Sequence, residues 1–150
     1  MQPRNPDFRT LVQRIFNTAP FVRDVGVELA DIGPGWCETV LTLRPEHYQQ
    51  DDVVHAGVQA TLADHTAGAA ANSLVDANEI ILTAEFKISF LRPARGEILR
   101  CRSEVIKAGR HLTTAESDVL AVTADESTLV AKALVTLAVV PRPAGRPGNG

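Results

Sequence analysis

The sequence predicts an α+β domain in which one long helix packs against an antiparallel sheet of five to six strands. Three features carry that expectation. The segment from Ala56 to about Leu74 (AGVQATLADHTAGAAANSL) is rich in alanine and free of proline. It is far longer than a typical strand of about five or six residues, and its alanines favour a helix. A pair of β-rich runs precedes it, and four more follow, separated by short connections. Short connections favour antiparallel neighbours, because parallel strands need long crossovers. A helix on a sheet then forms a two-layer core.

In chain order, Phe8, Leu11, Val12, Ile15 and Phe16 recur at helical spacing, which predicts a short amphipathic helix over residues 7–17. Pro20 lies just beyond, where that helix cannot continue. Residues 25–32 and 37–43 flank Gly33-Pro34-Gly35 and read as a hairpin. Residues 45–54 are polar and read as a loop. The long helix has small residues on nearly every side, the pattern of a helix enclosed by protein. Phe86, Ile88 and Phe90 alternate with Glu85, Lys87 and Ser89 in a strand over 79–91. Further strands are expected over 97–107, 112–122 and 128–140, the last the most apolar and therefore well buried. One domain over 1–140 is expected, with 141–150 (PRPAGRPGNG) as a disordered tail.

Composition narrows the function. The 150 residues carry a net charge of −3, with both signs interspersed. No basic stripe is present to neutralise a phosphate backbone, so nucleic acid is not an expected partner. Cys37 and Cys101 lack metal-ligand spacing and disulfide-rich context and read as reduced strand or core residues of a cytoplasmic protein. No run approaches the roughly 20 apolar residues of a membrane span, and residues 1–17 do not read as a secretory signal. His47, His55, His65 and His111 form no HExxH-type arrangement, so neither a metal nor a bound cofactor is expected. A GxSxG elbow is absent too.

Asp64 is the single carboxylate between Ala56 and Val75. On an enclosed helix it must be paired or put to use, since burying an unpartnered charge costs several kcal/mol. On an exposed face it would need no such explanation. His55 precedes the helix, whose first N–H groups lack intrahelical partners and favour an anion or a carbonyl gaining negative charge. Asp64 lies about 2.5 turns further along, too far for one chain to hold both groups on one carbonyl. Side-by-side helices from two subunits would complete the site.

His55-Ala56-Gly57, then six residues, then Asp64, resembles the His-Gly-Gly…Asp/Glu motif of hotdog-fold acyl-CoA thioesterases. The nearest likeness is to the branch of PaaI-like and 4-hydroxybenzoyl-CoA thioesterases. It extends from about Val25 to Val140 and includes Phe90-Leu91-Arg92-Pro93-Ala94 and Lys107-Ala108-Gly109-Arg110. The resemblance implies a hotdog fold, a homodimer or dimer of dimers, and active sites shared between chains. It implies that Asp64 attacks the thioester or activates water, and that the N–H groups of Ala56 and Gly57 polarise the carbonyl. Gln49 would help place the water, Thr83 would assist the carboxylate, and His55 would orient the loop or thioester. Arg92, Lys107 and Arg110 are the cations expected to meet the CoA moiety. Ala56 stands where the family commonly has glycine. His65, beside the acid, is expected on the far face of the helix rather than in the acyl pocket. Two other readings use the same fold: a non-catalytic acyl-CoA-binding module, and a hydratase or dehydratase. The latter pairs its Asp with a His a few residues later, which adjacent Asp64-His65 does not match.

Overall fold

The structure is a computed structural model that describes residues 1–143. Helix α1 (Phe8–Thr18) buries Phe8, Val12 and Phe16 from one face. Ala19 is extended, and Pro20 then opens a second short helix, α2 (Pro20–Val25). The proline therefore ends one helix and begins another, as suits its fixed φ and missing N–H. Gly26, at φ 93°, caps α2 in the left-handed region and turns the chain into β1 (Val27–Gly33). Strands β1 and β2 (Trp36–Thr42) form the expected hairpin. The long helix α3 spans Ala56–Asn72, followed by β3 (Glu79–Phe90), β4 (Ile98–Ala108), β5 (Leu112–Val122) and β6 (Ser127–Pro141). Strand β6 runs past the expected limit at 140, and the Arg142 N–H donates to Asn78 O at 2.7 Å. The rest of the anticipated tail, 144–150, lies outside the described residues.

The six strands form one antiparallel sheet in the order β1-β2-β4-β5-β6-β3. This corrects one expectation. Despite their short connection, β3 and β4 are not neighbours: β3 pairs with β6 at the edge. Residues 91–97 cross the intervening ends of β5 and β6. Seven extended residues reach about 23 Å, and three strand spacings need only about 14 Å. The crossing is fastened by the N–H groups of Leu91 and Arg92 to Val130 O and by the Val54 N–H to Ala94 O. It closes the end of the sheet beside the start of α3.

The inner face of the sheet wraps α3. Leu41, Leu99, Cys101, Val119, Val135 and Leu137 are fully buried against Leu62, Ala63, Ala67 and Ala70. Strand β6 is apolar but buried on one face only; Leu134 points outward. Burial pushes both cysteine thiols upward, Cys101 to about 12, so neither is a ready nucleophile. The helix is pinned to the sheet by hydroxyls. Ser117 Oγ donates to Ala63 O at 2.9 Å and pairs with Ser103 Oγ at 2.6 Å; Thr39 and Thr66 hydroxyls meet at 2.7 Å. The enclosure is incomplete, however. Gly57, Thr61, Asp64 and Gly68, three or four residues apart, form a stripe that the sheet does not bury.

His65 corrects a second expectation. Its ring packs edge-on against Phe16, centroids 4.6 Å apart, and it lines the same cleft as Asp64. Helix α1 packs on the flank of α3 that carries His65, so the ring lies beside the cleft and not on the far face. Burial outweighs the attraction of Asp64 and holds the imidazole below its ordinary pKa.

Two predictions follow from this packing. Ser117→Ala leaves the buried Ser103 hydroxyl short of a partner and should lower stability by about 1–3 kcal/mol, read as a shift in denaturant midpoint. Unfolding frees His65 to bind a proton near its ordinary pKa of about 6.5, so stability should fall as pH drops from 7.5 to 5.5. His65→Leu should flatten that part of the curve; an equal fall in both proteins contradicts the assignment.

Candidate active site

The centre of the site is a hydrogen bond between α3 and the edge strand. Thr83 Oγ1 donates to Asp64 Oδ1 at 2.7 Å. Its geometry depends on a β-bulge. Thr83 pairs with Leu137 and Glu85 with Thr136, so Ala84 is an extra residue. Because side chains alternate along a strand, this insertion lets Thr83 share the inner face with Phe86, Ile88 and Phe90 while Glu85 and Lys87 point outward. Asp64 is half-buried, at one end of a cleft of ≈ 290 Å³ lined by His65, Gly68, Asn72, Ile15, Ile80 and Ile81, among others.

The helix start is equally specific. His55 is the N-cap, and its Nδ1 accepts the Gly57 N–H at 2.8 Å. This uses an acceptor nitrogen, so the neutral ring carries its proton on Nε2. The His55 carbonyl accepts the N–H groups of Val58 and Gln59. Among the described residues the Ala56 N–H has no partner. Of the two donors expected from the resemblance, one is thus occupied by the cap and one is available. Alanine suffices here because Ala56 is the first helical residue and no positive φ is present at it. Gln59, buried, donates from Nε2 to Val54 O at 3.1 Å and holds the peptide just before the cap.

Gln49 is exposed, on a loop of two 3₁₀ turns in which Asp51 and Asp52 adopt positive φ. The loop is tied to the 91–97 crossing by Tyr48 Oη to Gly96 O, 3.0 Å, and Arg95 Nη2 to Asp51 O, 3.3 Å. Within one chain Gln49, His55, Ala56 and Gly57 lie at the N-terminal end of α3. Ala56 and Asp64 are separated by about 12 Å of helix. The expected cations are divided as well. Arg92, whose Nη1 donates to Leu129 O, lies at the helix-start end of the sheet, while Lys107 and Arg110 lie at the other end of β4 and β5. A separation on the order of 30 Å along the strands keeps them from one phosphate group in one chain. The sequence analysis did not single out Gln59, although an amide one turn into an apolar helix was a signal.

Among the described residues no helix is long and apolar enough to cross a membrane, and no group of three His, Cys, Asp or Glu side chains gathers around a point.

Comparison with known proteins agrees with this architecture. Residues 51–127, from the Gln49 loop to the start of β6, match the family model described as the thioesterase superfamily. A provisional esterase of Halobacterium salinarum is 32% identical over 121 residues, covering 76% of this chain and 78% of its own. Among solved structures, a thioesterase family protein from Silicibacter pomeroyi superposes with TM-score 0.87 at 33% identity, covering 89% of this chain and 98% of that one. The E. coli PaaI protein from the phenylacetic acid degradation operon shares the fold at TM-score 0.81 and 15% identity, over 91% and 95% of the two chains. An acid bonded to a strand hydroxyl, a capped helix with a spare N–H and a sheet wrapped around that helix therefore occur in a hotdog fold, and the chain belongs to the thioesterase superfamily.

Proposed function

We propose that the protein hydrolyses acyl-CoA thioesters in the cytoplasm, as a homodimer or dimer of dimers with two-chain active sites. The observation that carries this reading is the pairing of Asp64 with Thr83 on the open stripe of α3. A carboxylate that only stabilised the fold would have no reason to sit at a cleft with a spare oxygen.

The thioester carbonyl oxygen accepts the Ala56 N–H of one chain, where the helix dipole favours the developing negative charge. Asp64 of the other chain, steadied by Thr83, takes the proton of a water that Gln49 helps to hold. The water oxygen bonds to the carbonyl carbon, the carbon–sulfur bond breaks, and CoA departs as the thiolate. In the direct alternative an Asp64 oxygen bonds to the carbonyl carbon as the carbon–sulfur bond breaks, CoA leaves as the thiolate, and water then hydrolyses the mixed anhydride to return the carboxylate. His55 acts by capping α3 and occupying the Gly57 N–H, not as a base. Arg92, Lys107 and Arg110 serve the CoA phosphates from different chains of the assembly.

The free edge of β3 supports the dimer. It is twelve residues long, and Leu82, Phe86 and Phe90 are 53%, 41% and 47% exposed. A long apolar edge left open is an invitation to pair with another strand. Pairing of β3 with its two-fold copy would set the two open stripes face to face.

Asp64→Asn should lower kcat by at least about a hundredfold on any acyl-CoA the enzyme turns over, with fold and oligomer unchanged. Near-normal turnover refutes the assignment. Ala56→Pro deletes the donor selectively: proline is tolerated at the first helical position, and His55 at ψ 138° already has the conformation a following proline requires. It should also lose about a hundredfold. Mixed dimers of Asp64→Ala and Ala56→Pro chains should regain one intact site in two; proven mixing without recovery excludes the shared site.

A further inference from the structure

The cleft beside Asp64 has a feature the catalytic reading does not use. Gly68, one turn along α3 from Asp64 and on the same open stripe, faces empty space: a Cβ built there would meet no atom within 4 Å. Glycine is a poor helix residue, so an interior glycine with room for alanine is a local choice against stability. Helix packing within the chain does not require it. The space it leaves belongs to the cleft whose walls are Ile15 of α1, Ala69 of α3 and Ile80 and Ile81 of β3, with Asn72 another turn down. Asp64, Gly68 and Asn72 recur every four residues, so the cleft runs along α3 for about 12 Å.

We infer that Gly68 is a specificity-determining residue. It opens the acyl pocket, which takes a medium-chain or phenyl-sized acyl group lying along the Asp64–Asn72 face rather than acetyl. This rests on the proposed thioester hydrolysis. In that arrangement the helices run antiparallel, with Asp64 facing the partner's Ala56. One turn further, Gly68 then faces the loop before the partner's helix start, not another helix. A side chain at 68 would stand between the reacting carbon and the apolar walls. Ile15 gives α1 a part in the same pocket, and the Phe16–His65 contact fixes α1 there. Asn72 Nδ2 donates to Gly68 O at 2.9 Å, which leaves its carbonyl oxygen to end the pocket.

The test compares Gly68→Ala and Gly68→Leu with the unaltered protein on acetyl-, hexanoyl- and benzoyl-CoA, by thiol release. The unaltered protein should prefer the two larger substrates. Gly68→Leu should lower the ratio of kcat/KM for hexanoyl- or benzoyl-CoA over acetyl-CoA by at least about tenfold, with Gly68→Ala intermediate, since one misplaced methylene in a pocket is worth about 10- to 200-fold. Thermal stability of Gly68→Ala should equal or exceed that of the unaltered protein. Measurable acetyl-CoA turnover in the variants shows that Asp64 and the helix start are still assembled. An unchanged ratio, a uniform loss across all three substrates, dissociation of the oligomer by alanine, or a preference of the unaltered protein for acetyl-CoA overturns the assignment of Gly68 and leaves the hydrolytic reading standing. An unaltered protein that releases no thiol from any acyl-CoA sinks the hydrolytic reading, and the pocket with it.

Discussion

The geometry of this protein turns on one hydrogen bond, from Thr83 Oγ1 to Asp64 Oδ1. It joins the long helix to the edge strand and constrains both. Thr83 faces the helix in regular alternation with Ile81, and the insertion of Ala84 opposite β6 brings Phe86, Ile88 and Phe90 to the same face; without the bulge, the inward side chains beyond it would be Glu85 and Lys87. Asp64 reaches the strand because α3 is held in rotation and height by hydroxyl contacts on its buried side, Ser117 to Ala63 and Thr39 to Thr66. A hydrogen bond to a charged group contributes about 1.5–3 kcal/mol, while a buried hydroxyl left unpaired loses a similar amount. The helix is therefore locked from its buried face, and its open face is left free of packing.

That division explains the composition of α3. The buried side takes Leu62, Ala63, Ala67 and Ala70, small enough to let the curved sheet approach closely. The open side takes Gly57, Thr61, Asp64 and Gly68, none of which would stabilise a helix in isolation. The first set packs against the sheet, and the second leaves the cleft beside Asp64 open. The N-terminus follows the same logic. His55 satisfies the Gly57 N–H and its carbonyl satisfies two more, so the helix start is capped while one donor, at Ala56, stays open.

Much of the fold was legible because it is written in local signals. Pro20, Gly33-Pro34-Gly35 and the alternation of Phe86, Ile88 and Phe90 mark boundaries that hold within one or two residues. Asp64 stood out as a lone acid in an apolar segment, and Thr83 followed from the family resemblance. What failed depends on distant contacts. The pairing of β3 with β6 joins strands far apart in sequence, and the short connection 91–97, which is long enough to permit it, does not announce it. The side of α3 that His65 occupies is decided by α1, from fifty residues away.

The bulge at Ala84 also bears on assembly. It lies in the middle of the open edge of β3, and bulges are one way proteins discourage unwanted edge pairing. Here the inserted residue next to Thr83 interrupts the regular ladder that an added strand would follow. On the proposed pairing of β3 with its two-fold copy, the residue inserted next to the Thr83–Asp64 bond would lie at the seam between the two sheets, so the site and the assembly would share one local irregularity.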